Sequence, residues 1–338
     1  SNPENPIINN RSFGENPEKV SRMGVAYMNG MQDNYVLACA KHFPGHGDTD
    51  ADSHKTLPTL NHLKYRLEEV ELAPFKKLIN NGLGSVMVAH LHIPSLDNTE
   101  NLAATLSPKI VNGLLKDELN FTGLSITDAL NMKGVSKFYE PGIVDVKALL
   151  AGNDVLLFAE NVPKAIEEIK NAIAKKQISQ KEVDARCLKI LKAKQWMGLS
   201  NYKPVDISVI AGEIILTETK LLDKKLVQSS LTLLQNYDNL LPLKRLDTLR
   251  IASVSIGENG QYFQDMLSNY APVTHFTISE KATASEQAVL LNKLSKFNLV
   301  IASVHKSNAN AWKPYKIAKS TDIFLQSVAL QSNVVIPV

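Results

Sequence analysis

Over most of the chain, short apolar runs alternate with stretches in which apolar residues recur every three or four positions. The short runs read as buried strands, and the longer period reads as helices packed on them. Pro6 to Asn9 reads as a short strand. Asn16 followed by Pro17 reads as an N-cap and first helical residue, opening a helix to about Gln32. Val36 to Lys41 is a strand, and a helical pattern covers Leu63 to Asn80, with Gly82 as its stop signal. Pro74 inside that pattern predicts a break or a second start. Ser85 to Leu91 is a strand; Ser107 and Pro108 open a helix ending near Leu119. Leu124 to Asp128 and Asp154 to Phe158 are strands, and helices cover Val144 to Ala151, Pro163 to Lys175 and Gln180 to Trp196.

Such alternation predicts a parallel sheet. Titratable residues stand at the C-terminal ends of its successive strands: Arg11, Lys41 with His42, His90 with His92, and Asp128. That is the pattern of a (β/α)₈ barrel, whose site is built at that face. An open doubly wound sheet would gather its site at one crevice instead. The strands read here fall short of the eight that close a barrel by about three. The expectation is therefore a partial (β/α)₈ barrel over residues 1–200, the C-terminal part of a larger one. Its unpaired sheet edges would call for a further chain segment, a homo-oligomer or a swapped dimer.

Residues 201–216 are expected to link to a second domain at 217–338, starting from the Asn201-Tyr-Lys-Pro-Val-Asp206 stretch. There the pattern predicts a helix from Glu218 to Ser230 and a strand from Leu231 to Gln235. It continues with strand Arg250 to Ile256, helix Gln261 to Tyr270, strand Val273 to Ile278 and helix Ser285 to Lys296. Strand Leu299 to His305, helix Thr321 to Leu330 and strand Val334 to Val338 complete a second α/β domain. Its strands are flanked by turns without reactive clusters. The chain begins with Ser1 and stops inside an apolar run, which reads as a fragment truncated at both ends.

Composition narrows the function classes. With 338 residues and 44% hydrophobic content the chain can bury two ordinary cores. A net charge of +3 gives no electrostatic footprint for nucleic acid. The Lys175-Lys176 and Lys224-Lys225 pairs read as solvated faces, and no apolar run reaches the ~18 residues of a membrane span. Cys39 in a strand and Cys187 on a helix read as buried thiols. No GxGxxG, P-loop or Cys-rich zinc pattern occurs, so no metal or organic cofactor is implied.

The densest chemistry lies just past a buried strand, in Lys41-His42-Phe43-Pro44-Gly45-His46-Gly47-Asp48-Thr49-Asp50-Ala51-Asp52-Ser53-His54. A solvated turn would explain Gly, Pro and Asp but does not need three histidines. A metal site could use His42, His46 and His54, although the spacing matches no helical ligand pair. In an acid/base site Asp52 would orient His54, fixing its tautomer and leaving the other ring nitrogen to move protons.

This segment resembles the signature of family-3 glycoside hydrolases, in their β-N-acetylglucosaminidase branch. Arg11-Ser12-Phe13, the strand around Met87 to Pro94, the strand Gly123 to Met132 and the stretch Ala151 to Leu157 resemble further family motifs in the same order. The likeness runs from residue 1 to about 200; beyond that it is architectural, with the last part resembling the family's C-terminal α/β sandwich.

The resemblance implies a retaining exo-β-N-acetylglucosaminidase that releases N-acetylglucosamine from peptidoglycan fragments. Asp128 would be the nucleophile forming a glycosyl-enzyme, His54 the acid and then base, and Asp52 its holder. Arg11, Lys41 and His42 would contact the sugar, while His46 and Asp48 would hold the loop together. The implied partner is an N-acetylglucosamine-containing glycan or muropeptide. The implied location is the cell envelope or secreted, with a cytoplasmic form as the alternative. Rival readings are a β-N-acetylglucosaminide phosphorylase, a metal-dependent hydrolase and a non-catalytic sugar-binding module.

Overall fold

The computed structural model describes residues 1–3, 5, 7–8, 11–49, 56–257, 260–306 and 316–337. They form two compact units, Ser1–Pro204 and Val205–Val338.

In the first unit, strands β1 (Cys39–Phe43), β2 (Ser85–Val88) and β3 (Leu124–Thr127) form a parallel sheet in that order. A parallel bridge from Ile126 to Val155 extends it by one position. This bridge is all that forms of the strand predicted over Asp154 to Phe158. Helices separate the strands, as parallel pairing requires, and the unit has the order of a partial (β/α)₈ barrel. Among the described residues no strand pairs with the outer edge of β1.

Local signals account for most element ends. Asn16 accepts a hydrogen bond from the Lys19 N–H, and Pro17 opens the helix Pro17–Gln32. Tyr35 takes a positive φ after that helix, so β1 begins at Cys39 rather than Val36. The predicted strand at Pro6 to Asn9 does not form at Ile7 and Ile8, whose N–H groups both bond to Asn5 Oδ1 instead. Pro6 and Asn9 lie outside the described residues. Pro74 does not break its helix. The segments Lys64–Arg66, Leu67–Glu71 and Leu72–Ile79 run on without interruption, and Leu67–Glu71 is a wide π-turn. Proline crowds the carbonyl four residues back; for Pro74 that residue is Val70, inside the widened turn.

Val86 and Val88 pack with Met28, Leu72, Phe75, Ile110 and Leu115 of the flanking helices to form the main core. Helix Gln180–Trp196 carries no buried residue and is held by polar bonds. Arg186 donates to the carbonyls of Leu149 and Asn153, and Lys189 pairs with Asp154 at 2.7 Å. Both cysteines are free and exposed rather than buried: Cys39 opens the edge strand, and Cys187 lies on that uncovered helix.

The second unit is a parallel sheet in the order β5–β4–β6–β7, from β4 (Ile251–Gly257), β5 (Val273–Ile278), β6 (Leu299–His305) and β7 (Asn333–Val335). β4 and β6 are buried along nearly their whole length, as central strands covered on both faces must be. Helices Gln261–Leu267, Ala284–Leu294 and Lys319–Ala329 connect the strands. The stretch predicted as a linker contains a helix, Ile207–Ile214, because Asp206 caps it through Ser208 N–H. Leu231 to Gln235 forms no strand; Leu231, Leu233 and Leu234 are exposed, without a ladder to join.

Candidate active site

β1 delivers Lys41 and His42 to its C-terminal end and then buries Phe43 completely, edge-on against Phe75 at 5.3 Å. That packing anchors the start of the loop. Gly45 follows at φ 144°, and a Cβ there would lie 2.6 Å from the Glu71 Cβ. Only glycine allows this approach to the π-turn.

Glu71 in turn receives two hydrogen bonds from Arg66 Nη1, at 2.8 and 2.5 Å. Arg66 also stands 3.8 Å from Asp48. Asp48 accepts from Asn2 Nδ2 and pairs with His62 Nε2, both at 2.8 Å. The Asn2 bond, with help from His62 and Arg66, holds the Asp48 carboxyl below its usual range although burial opposes this. Ligand atoms of Asp48, His62 and Glu71 lie within 4.8 Å of one another. The Arg66 guanidinium already supplies the positive charge that such a group would ask of a metal ion. His46 bonds Thr49 Oγ1 through Nδ1 at 2.6 Å, and its carbonyl accepts from Asn5 Nδ2. Asp48 and His46 therefore brace the loop from within.

His42 is the electrostatic centre of the site. Burial pushes its pKa down from 6.5 to about 4; the nearby Asp128 charge works against the shift, while His46, Lys41 and Arg11 add to it. Arg11, Lys41, His42 and Asp128 thus share one neighbourhood although three separate parts of the fold supply them. Above pH 5 the imidazole is neutral. Its Nδ1 is buried and has no hydrogen-bond partner among the described residues. Lys41 and Arg11 are exposed, and Arg11 also donates to the Ile7 carbonyl at 2.6 Å.

Asp128 follows the last residue of β3. Its N–H bonds the Val88 carbonyl at 3.0 Å, extending the β2–β3 ladder, and its Oδ1 accepts the Ala129 N–H at 2.8 Å. It is half-buried, and among the described residues its carboxylate receives that single hydrogen bond. Asp52 and His54 lie outside the described residues.

β2 ends at Val88, before both histidines that follow it, so these part company. His92 Nδ1 turns to the Leu102 carbonyl at 3.4 Å, and its backbone bonds to Pro58 and Leu60. His90 is fully buried beside Asp128, between Thr105 and the Ala129 carbonyl. Sequence reasoning missed Asn2, His62, Arg66, Glu71 and Thr105, each of which supports the site from a distant position. No spacing rule marks such pairs; the only local signal is the polar Arg66 and Glu71 on an otherwise core-facing helix.

A cavity of about 960 Å³ opens at this face. Arg11, Lys41, His42, His46 and Asp48 line its polar end, and it continues past Cys39 along the outer edge of β1. Asp128 is not among its lining residues.

Known proteins resemble this chain in sequence and fold. A β-hexosaminidase A of Pseudoalteromonas piscicida is 31% identical over 263 residues, which is 72% of this chain and 43% of that protein. A β-hexosaminidase of Neisseria meningitidis serogroup C is 34% identical over 168 residues, covering 49% of this chain and 45% of its own length. The chain thus spans less than half the length of either relative. The solved structure of a glycoside hydrolase family 3 β-N-acetylglucosaminidase from Paenibacillus sp. FPU-7 superposes with a TM-score of 0.73 at 29% identity. It covers 99% of this chain and 64% of its own. A β-glucoside phosphorylase, BglX, superposes at 0.77 but only 21% identity over 99% of this chain and 63% of its own, a likeness of fold alone. The family described as the glycosyl hydrolase family 3 N-terminal domain matches residues 1–193, more than half of the chain, and the chain belongs to that family.

Proposed function

We propose that this chain carries the catalytic machinery of a retaining exo-β-N-acetylglucosaminidase that releases N-acetylglucosamine from peptidoglycan fragments. The observation that carries the reading is the state of Asp128. It is a half-buried carboxylate at a strand end that receives one hydrogen bond from the described residues, with an imidazole of lowered pKa in its neighbourhood. Saturated carboxylates are poor nucleophiles; this one keeps lone pairs for an anomeric carbon.

In the first step Asp128 attacks that carbon, and the glycosidic C–O bond breaks. The leaving oxygen takes a proton from His54, which Asp52 orients. In the second step His54 removes a proton from water, whose oxygen displaces Asp128 from the sugar. His42 Nδ1, Lys41 and Arg11 hold sugar hydroxyls. The hexosaminidase relatives and the N-acetylglucosaminidase structure support the choice of sugar. Peptidoglycan as its source places the protein in the cell envelope within the same proposal.

Hydrolysis of 4-nitrophenyl N-acetyl-β-glucosaminide by the chain, beside Asp128→Ala and His54→Ala, tests the reading. The expected result is turnover in the parent, none with Asp128→Ala and greatly reduced rates with His54→Ala. An Asp128→Ala variant as active as the parent would overturn the nucleophile assignment. A sugar 1-phosphate formed in phosphate buffer would replace hydrolysis with phosphorolysis.

A further inference from the structure

His90 is completely buried, yet the catalytic steps above make no use of it. Its Nε2 lies 2.9 Å from the Ala129 carbonyl oxygen. A carbonyl only accepts, so Nε2 carries the proton and donates. Its Nδ1 meets the Thr105 hydroxyl at 2.9 Å, and the same hydroxyl lies 2.6 and 2.9 Å from the carbonyls of Ala89 and Val88.

These bonds close a circuit around the Asp128 carboxylate. Ala129 is held on its carbonyl side by His90, and its N–H points at Asp128 Oδ1. The Asp128 N–H is held by the Val88 carbonyl, and the Thr105 hydroxyl, which has one proton to give, stands 2.9 Å from both that carbonyl and His90 Nδ1. Thr105 completes the ring back to His90. The N–H of Ala129 aims the only described donor at the carboxylate, and the following peptide is held by His90 at the Ala129 carbonyl and by the Leu157 carbonyl at the Leu130 N–H, 2.9 Å away.

We propose that His90 is a positioning residue that, through the Ala129 peptide, sets the direction of the Asp128 carboxylate. The proposal rests on Asp128 being the nucleophile. A misplacement of about 1 Å at a reacting group costs on the order of 100-fold in rate, so loss of this brace should show in the step that forms the glycosyl-enzyme. Binding of the sugar through Arg11, Lys41 and His42 should change little.

Three variants separate the two sides of the ring. Glutamine places an N–H near Nε2 and keeps the Ala129 bond. Asparagine reaches only the Thr105 side. Leucine keeps the volume and neither bond. With 4-nitrophenyl N-acetyl-β-glucosaminide, His90→Leu and His90→Asn should lose roughly 30- to 100-fold in kcat/KM, while His90→Gln stays within about fivefold of the parent. Thr105→Val, which removes the brace on the ring, should fall between them. Inhibition by free N-acetylglucosamine should stay within about twofold in all four, as a probe of ground-state binding. Asp128→Ala runs beside them.

A His90→Leu variant within threefold of the parent, with Asp128→Ala silent, would overturn the positioning role alone. So would a His90→Gln variant no better than His90→Asn at equal melting temperature, or losses that simply follow the melting temperatures. If His90→Leu does not fold, the Gln against Asn comparison decides. An active Asp128→Ala variant would overturn the nucleophile reading and the positioning role together.

Discussion

The two ends of β3 each present an aspartate, and the two are built for opposite purposes. At the N-terminal end, Asp154 is buried and saturated. It accepts the Ser125 N–H at 2.9 Å and the Ser125 hydroxyl at 3.0 Å, pairs with Lys189 at 2.7 Å and stands 3.8 Å from Lys116. Burial pushes the Lys116 ammonium down, and Asp154 partly restores it. At the C-terminal end, Asp128 receives one hydrogen bond among the described residues, has partial solvent access and has His42, with its lowered pKa, in its neighbourhood. The same residue type is thus a structural rivet at the start of β3, where Asp154 of the neighbouring segment meets Ser125, and a half-buried carboxylate just past the strand's end. The difference lies in how many donors its oxygens already serve. In a parallel α/β unit the strand starts are where helices can be tied down, and the strand ends are where chemistry is done.

A pair of substitutions should break this comparison cleanly. Asp128→Ala is expected to remove at least about 1,000-fold in kcat, because the covalent route is lost, while the melting temperature stays close to the parent's. Asp154→Ala is expected to do the reverse. It strands Lys189 and Lys116 and two Ser125 donors at a buried site, a loss of about 3–5 kcal/mol, seen as a lower denaturation midpoint. Turnover per folded molecule should remain near the parent's. Steady-state kinetics and urea titration on both proteins read the two axes. Loss of activity in Asp154→Ala at full stability would show that the two ends are coupled, and that saturation alone does not sort them.

The sequence revealed the elements better than it revealed their partners. Leu299 to His305 was legible to the residue because an apolar run buried on both faces reads as a central strand, and Val273 to Ile278 because β-branched and aromatic residues fill it. Asp128 was legible for the same reason: it is the first charged residue after such a run. The apolar pattern misled where burial depends on a distant partner. Leu231 to Gln235 has strand composition and no strand to pair with, and Val36 is 51% exposed in the turn before β1. His90 and His92 stand about the end of the strand predicted over Ser85 to Leu91, but the ladder ends two residues before the first of them. The bonds that brace the site join Asp48 to His62 and His90 to Thr105, separations of 14 and 15 residues that no local rule encodes. Asp52 and His54 were read from motif alone and lie outside the described residues.

The contrast between the two ends can be sharpened by pH. His42, at the Asp128 end, is the group whose shift a pH series can read. Its folded pKa is lowered to about 4 against about 6.5 for an unperturbed histidine. Between those values the unfolded chain binds a proton that the folded chain refuses, so stability rises with pH. The contribution is complete above about pH 6.5 and disappears as pH falls toward 4. His42→Gln removes the titrating group while keeping a polar side chain. The parent should therefore lose stability relative to His42→Gln on going from pH 7 to pH 4, by about 2 kcal/mol once partial solvent access is allowed for. Urea midpoints at half-unit pH intervals measure this directly. Parallel curves for the two proteins would mean that His42 is not held neutral, and that Asp128 works beside a cation instead of an uncharged hydrogen-bond partner. Diverging curves would mean that the site keeps its charge on the carboxylate alone, where an electrophilic sugar carbon can use it.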